Sequence, residues 1–284
     1  MKQPIIELYD AFTHGQLSRR AFLERAGAAL GGTAAAYAAL AALENDYANA
    51  ETVAERDPRI TAADVVVSGR TGLKGYLARP KGDGPRPAVL VIHENRGLNP
   101  HIKDVTRRVA TEGFVALGLD FLSPEGGTSG DDDRNRRLLG AMTAQDKVAR
   151  GRAALAWLSR MPGATGKVGA VGFCWGGGLV NTLAAAEPEL DAGVAYYGAT
   201  APAADVPAIR SPLLLHYGEL DTRINAGIPA FEAALKTAGK TYEAHVYEGA
   251  HHAFNNDTSP ERYNKAAADL AWSRTVGWFE RHLG

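Results

Sequence analysis

Gly172-Phe173-Cys174-Trp175-Gly176 is the stretch on which the reading of this chain turns. It has the form Gly-x-nucleophile-x-Gly, with a thiol at the centre where a serine is commoner. An apolar run, Val168 to Phe173, leads into it, and a helical pattern, Leu179 to Ala186, leads away. Strand, sharp turn and helix are the context such an elbow needs, because the nucleophile must be pushed out of a strained turn. Flanking glycines let the backbone pass close to its neighbours there. Cys174 is the only cysteine of the 284 residues. A lone thiol taken by itself reads as a small buried hydrophobe; the glycines and the residues found downstream give it a chemical reading.

Working outward, the chain from about Ile60 alternates β-branched apolar runs with amphipathic helical stretches. Ala63 to Ser68 and Leu73 to Ala78 read as a strand pair joined through Gly69-Arg70-Thr71-Gly72. Ala88 to His93 is a continuous apolar run, expected of a strand buried on both faces. Further strands are expected at Phe114 to Phe121, Val168 to Phe173, Gly193 to Tyr197, Leu213 to Tyr217 and Glu243 to Tyr247. Helical patterns fall between them at Ile102 to Ala110, Thr143 to Met161, Leu179 to Ala186 and Ile228 to Ala238, with a last one over Glu261 to His282. Strands separated by helices imply an α/β fold with a mostly parallel central sheet covered by helices on both faces. Gly126 to Asp133 is a polar loop opening an exposed helix, placed where it could also rim a pocket.

Composition removes several function classes. The formal net charge is −1, without the basic excess of a nucleic-acid surface. At 45% hydrophobic residues the chain can bury a full core without a metal or disulfide staple, and one cysteine allows no internal disulfide. His251-His252 is an adjacent pair without the spacing of a zinc site, so no metal and no cofactor is expected. Residues 1–50 differ from the remainder. Ser18-Arg19-Arg20-Ala21-Phe22-Leu23 is a twin-arginine pattern, followed by a charge-free, mildly apolar stretch from Ala26 to Leu43 and by Ala48-Asn49-Ala50, an A-x-A cleavage pattern. These features predict a Tat-type export signal over 1–50, engagement of the Tat machinery, a periplasmic or exported location and a mature domain over 51–284. The stretch is too poor in Leu, Ile and Val for a stable membrane span. The competing expectation is an ordinary N-terminal helix of a cytoplasmic protein.

An α/β-hydrolase carries its nucleophile, acid and histidine in that chain order, each at the C-terminal end of a strand. Downstream of Cys174, the run Leu213 to Tyr217 enters a turn holding Asp221, and Tyr247 enters a loop holding His251 and His252. Each step leaves room for one helix and one strand. Asp221 has Glu219 as a rival, and a helix cap as its bland alternative. His251 and His252 compete, since neighbouring side chains in extended backbone point opposite ways. His216, inside a strand, reads as a core histidine, and His245 as one on an exposed face. His93-Glu94-Asn95-Arg96-Gly97 follows the Ala88 strand, in the place where this fold takes one oxyanion-hole N–H, here that of Asn95; the other comes from Trp175. Glu94 puts a carboxylate beside the thiol, with Arg96 as its simplest surface ion-pair partner.

The assembled residues resemble the dienelactone hydrolase (carboxymethylenebutenolidase) family from Thr61 to Leu283. The likeness is carried by the Cys-centred elbow Gly172 to Gly177, by Glu94 in His93-Glu94-Asn95-Arg96-Gly97, by Asp221 in the segment from His216, and by His252-Ala253-Phe254. The last motif selects His252 over His251. The resemblance implies hydrolysis of a small ester or enol lactone through a thiol-ester acyl-enzyme, with Glu94 helping to activate Cys174, His252 as general base and Asp221 orienting it. Thioesters are an alternative substrate class, and a catalytically silent binding protein of the same fold is the alternative function. Where the family binds a substrate carboxylate with arginines, this chain reads Leu122-Ser123-Pro124-Glu125 and Phe254-Asn255-Asn256. Arg96 is the candidate substrate-binding cation, with Arg134 and Arg223 as substitutes. The missing arginines predict better turnover of neutral short esters than of anionic lactones.

Overall fold

A computed structural model describes residues 1–47 and 51–284. Among the described residues, eight strands form one sheet in the order β1-β2-β4-β3-β5-β6-β7-β8. The strands are β1 (Ile60–Ser68), β2 (Leu73–Pro80), β3 (Arg86–Ile92), β4 (Val115–Asp120), β5 (Ala164–Phe173), β6 (Ala192–Tyr196), β7 (Leu213–Gly218) and β8 (Tyr242–Tyr247). β1 and β2 form the expected hairpin, with Gly72 at φ 69° in its turn, and β2 pairs antiparallel with β4. Every other pairing is parallel. All the C-terminal ends of β3, β5, β6, β7 and β8 therefore open onto one edge, where a parallel α/β sheet places its ligands.

Strand β3 shows why the sheet needs cover on both sides. Ala88 to Ile92 are fully buried, and they alternate between two apolar layers. Ala88, Leu90 and Ile92 join a core built with α5 (Asp132–Ala141), α6 (Ala144–Ser159), α7 (Trp175–Ala186) and α9 (Ile228–Thr237). Val89 and Val91 face the layer of α4 (Pro100–Thr111) and α10 (Lys265–Leu283), through Ile102, Val105, Trp278 and Phe279. Burying each Val, Leu or Ile is worth about 1.5–3 kcal/mol, so the two-sided run secures the centre of the sheet. Asn99 caps α4 by accepting from the Ile102 N–H, and Thr143 caps α6 through the Asp146 N–H.

Two helices begin elsewhere than the periodicity predicts. α7 starts at Trp175, directly after the nucleophile position, because Gly176 and Gly177 are required by close backbone packing rather than acting as breakers. α10 starts at Lys265, not Glu261, because the Asn264 side chain accepts from the Ala267 N–H and sets the cap there.

The N-terminal region forms three helices, α1 (Gln3–Thr13), α2 (Arg19–Leu30) and α3 (Thr33–Leu43). Ser18 caps α2, so Arg19 and Arg20 of the twin-arginine pattern occupy its first turn and are exposed. Gly31 and Gly32, at φ 88° and 150°, break the charge-free stretch, and α2 and α3 meet at a bend of 113°. No single described helix is long and apolar enough to cross a membrane. The Ala48-Asn49-Ala50 pattern lies outside the described residues.

Candidate active site

Cys174 follows the last residue of β5 and precedes the first of α7, at φ 54° and ψ −111°. A non-glycine residue reaches that region only under strain, as a nucleophile elbow requires. Its N–H donates to the Tyr196 carbonyl at 3.0 Å, pinning the turn to β6. The flanking glycines permit the fit: a Cβ on Gly172 would lie 2.1 Å from the Gly176 oxygen, and one on Gly176 would lie 2.4 Å from the Ile92 oxygen. Trp175 is the first residue of α7, so its N–H has no intrahelical carbonyl one turn behind it.

The sheet edge brings the predicted partners to this turn. Asp221 caps the short helix α8 (Thr222–Asn225) after β7, accepting from the Ile224 N–H, and its other oxygen accepts from His252 Nδ1 at 2.5 Å. It therefore acts both as a cap and as a histidine partner. The His252 loop can lie against the end of β7 because Gly218 leaves room; a Cβ there would meet the Ala250 and His251 oxygens at 2.6 Å. His252 Nε2 is buried without a hydrogen-bond partner, and a ring nitrogen of His252 lies within 4.8 Å of Cys174 Sγ. Burial opposes a charged imidazole, yet Asp221 and Cys174 together outweigh it and raise the His252 pKa well above its ordinary value. Burial also works against the Asp221 carboxylate, but His252 and Arg223 hold its pKa below normal. His251 is half-buried and joins no such pair; Glu219 is taken up by the Gly249 N–H.

Glu94 is buried at the end of β3, and its carboxylate accepts from Asn256 Nδ2 at 2.8 Å and from the Tyr197 hydroxyl at 3.4 Å. The expected surface pair with Arg96 does not form. Arg96 is itself buried, paired with Asp132 at 2.7 Å and donating to the Tyr9 hydroxyl, so its charge is spent on α5 and α1. Arg134 is likewise held by the Gly127 and Glu125 carbonyls. Asn95 donates its side-chain amide to the Thr13 carbonyl at 2.8 Å. His216 is the core histidine expected, bonded to Thr275 and Tyr247, whereas His245 is half-buried beside Glu243 rather than fully exposed.

A cavity of about 800 Å³ opens from Cys174, Trp175 and His252. Its wall carries Arg223, Arg136, Arg137, Lys147 and Arg19 against Asp133. Cations thus reach the site from α8, where Arg223 is the substitute named from the sequence, and from α5, α6 and α2, which no local motif around the elbow or the histidine reveals. Asp133 also makes the Gly126–Asp133 segment part of the rim.

Sequence reasoning missed His14. Its Nδ1–H donates to the Asp10 carbonyl at 2.7 Å, so Nε2 carries the lone pair, and that atom faces Cys174 Sγ at 3.2 Å and accepts from Arg223 at 3.2 Å. Burial, then His252 and Arg223, keep its pKa well below normal, which leaves it neutral. No spacing signal links His14 to Cys174, because 160 positions separate them. His14, Cys174 and His252 present three potential metal ligands within 4.8 Å of one another. The Arg223 guanidinium in contact with His14 Nε2 disfavours a cation there.

Comparison with known proteins gives the family. The profile of the dienelactone hydrolase family matches residues 73–283, and a separate profile described as YqhI-like matches residues 1–31. An Escherichia coli O157:H7 protein named "Putative carboxymethylenebutenolidase" is 34% identical over 252 residues, covering 79% of this chain and 90% of its own. A Bradyrhizobium protein named "Probable 2-oxo-3-(5-oxofuran-2-ylidene)propanoate lactonase" is 33% identical, covering 78% and 93%. The crystal structure titled "Putative Dienelactone Hydrolase" from Klebsiella pneumoniae superposes with a TM-score of 0.71 at 29% identity, covering 78% of this chain and 99% of that one. With an α/β-hydrolase sheet, a thiol at its elbow and relatives matched over nearly their whole length, this chain belongs to the dienelactone hydrolase family.

Proposed function

We propose that the protein hydrolyses small carboxylic esters or lactones through an acyl-enzyme on Cys174. The reading rests chiefly on the buried Asp221–His252 pair, whose imidazole lies within 4.8 Å of the elbow thiol and whose Nε2 has no other partner. The Cys174 sulfur attacks the carbonyl carbon as a thiolate, its proton having passed to His252. The carbonyl oxygen takes up the electron pair and is stabilised by the backbone N–H groups of Trp175 and Asn95. The tetrahedral centre then expels the alkoxide, which receives the proton from His252, leaving a thioester on Cys174. His252 next removes a proton from water, the resulting hydroxide attacks the thioester, and collapse of the tetrahedral centre expels the Cys174 thiolate, which takes the proton back from His252 as the acid product leaves. Asp221 fixes the histidine tautomer and supports the imidazolium.

Acid-quenched p-nitrophenyl acetate reactions test this. A burst of p-nitrophenol and one acetyl group on the Cys174 peptide are the expected result; acetylation elsewhere, with Cys174 unmodified, would rule the mechanism out. Export belongs to the same proposal, and it is supported by the twin-arginine pattern exposed on α2. N-terminal sequencing of protein recovered from the periplasm should then begin near Glu51, and an intact Met1 would argue against cleavage.

A further inference from the structure

The hydrolase family profile begins at residue 73, so α1–α3 lie outside it. These helices enclose an apolar cluster of their own, including Ile5, Ile6, Tyr9, Phe12, Phe22 and Leu40, which shares no member with the two cores of the sheet. Their ties to the sheet domain include a set of polar contacts, and those contacts fall on the loops that carry the candidate chemistry. Asn95 donates to the Thr13 carbonyl and Arg96 to the Tyr9 hydroxyl, both from the loop after β3. Arg223 meets His14 and the Leu220 carbonyl accepts from Gln3, both around Asp221. Arg262 pairs with Asp10 at 3.4 Å, and Glu261 with the N-terminal amine, both beyond the histidine loop.

The centre of this contact is His14. An ester carbonyl must come within about 3–3.5 Å of the attacking atom. His14 Nε2 already stands 3.2 Å from Cys174 Sγ, and the thiol is only 6% exposed. We propose that the N-terminal helices form an autoinhibitory lid, with His14 as the stopper on Cys174, and that the enzyme is released when this segment lifts or is cut away. Polar latches suit such a device, because their groups can be satisfied by water when it opens, whereas a shared apolar core would hold it shut. The segment that closes the site also carries the twin-arginine pattern, and the Ala48-Asn49-Ala50 cleavage pattern stands between it and the sheet domain. Export processing would thus couple location to activity.

The inference rests on the proposed function only in taking Cys174 as the reacting atom, and alkylation reads its accessibility whether or not the protein hydrolyses esters. Full-length wild type and His14→Ala are exposed to iodoacetamide, and carbamidomethylation of Cys174 is followed by mass spectrometry. His14→Ala should react about tenfold faster, the equivalent of losing one or two net hydrogen bonds from the closed state. Tyr9→Phe, which keeps the ring and loses only the contact with Arg96, should react faster by a smaller factor and covers the case in which His14→Ala does not fold. Equal or slower alkylation in the folded variants overturns the lid. If alkylation accelerates but Cys174 never carries an acyl group from ester, the lid stands and the hydrolytic reading falls.

Discussion

Cys174→Ala is expected to abolish the burst with p-nitrophenyl acetate and to lower kcat/KM by at least about 10³-fold, to a remainder supplied by binding and the oxyanion donors alone. The expectation comes from the division of labour at the sheet edge. In the proposed mechanism Cys174 forms the covalent bond, His252 takes and returns its proton, and Asp221 holds that histidine. Groups that act as one unit are not additive, so Cys174→Ala combined with Asp221→Asn should be scarcely worse than Cys174→Ala. Asp221→Asn by itself should cost less, with a diagnostic shift. Asp221 is the principal group raising the His252 pKa against burial, so losing its charge lowers that pKa. The limb of the pH–rate profile belonging to His252 should therefore move toward lower pH. Retention of the burst in Cys174→Ala, measured by stopped flow, would remove the thiol from the mechanism.

Legibility followed distance along the chain. The central strand Ala88 to Ile92 was readable because burial on both faces leaves an unbroken apolar run, and the elbow because its glycines are demanded by contacts a few residues apart. The order Cys174, Asp221, His252 was readable since each follows a strand of its own. Helix starts at Trp175 and Lys265 were misplaced because they depend on caps and close packing that periodicity does not register. Arg96 was misassigned for a similar reason: its partner Asp132 lies on another element, and the Glu94 partners Asn256 and Tyr197 come from beyond two other strands. Of the basic cavity wall only Arg223 was legible, and His14 was not. Their side chains converge only once α1, α5, α6 and α8 have packed round the sheet edge, and the N-terminal stretch resembles a leader however it folds.

Gly176→Ala is expected to destabilise the protein by about 3–5 kcal/mol, a large share of the roughly 5–15 kcal/mol available to a folded domain. The added Cβ would stand 2.4 Å from the Ile92 oxygen and 2.6 Å from the His93 oxygen. Both are backbone atoms, and Ile92 lies in the centre of the sheet, so neither can swing aside as a flexible side chain would. Relief has to come from α7 retreating, which pulls Trp175 from the oxyanion position and Cys174 from the turn. Activity should therefore fall further than the folded fraction does. Gly277→Ala supplies the contrast. Gly277 is also helical, in α10, but nothing lies within 4 Å of its Cβ position, and alanine there should stabilise by about 0.5–1 kcal/mol through reduced backbone entropy of the unfolded chain. Urea unfolding of the two variants should shift the midpoint in opposite directions. Similar small shifts in both would mean that the elbow glycine serves chain flexibility rather than the close approach of α7 to β3.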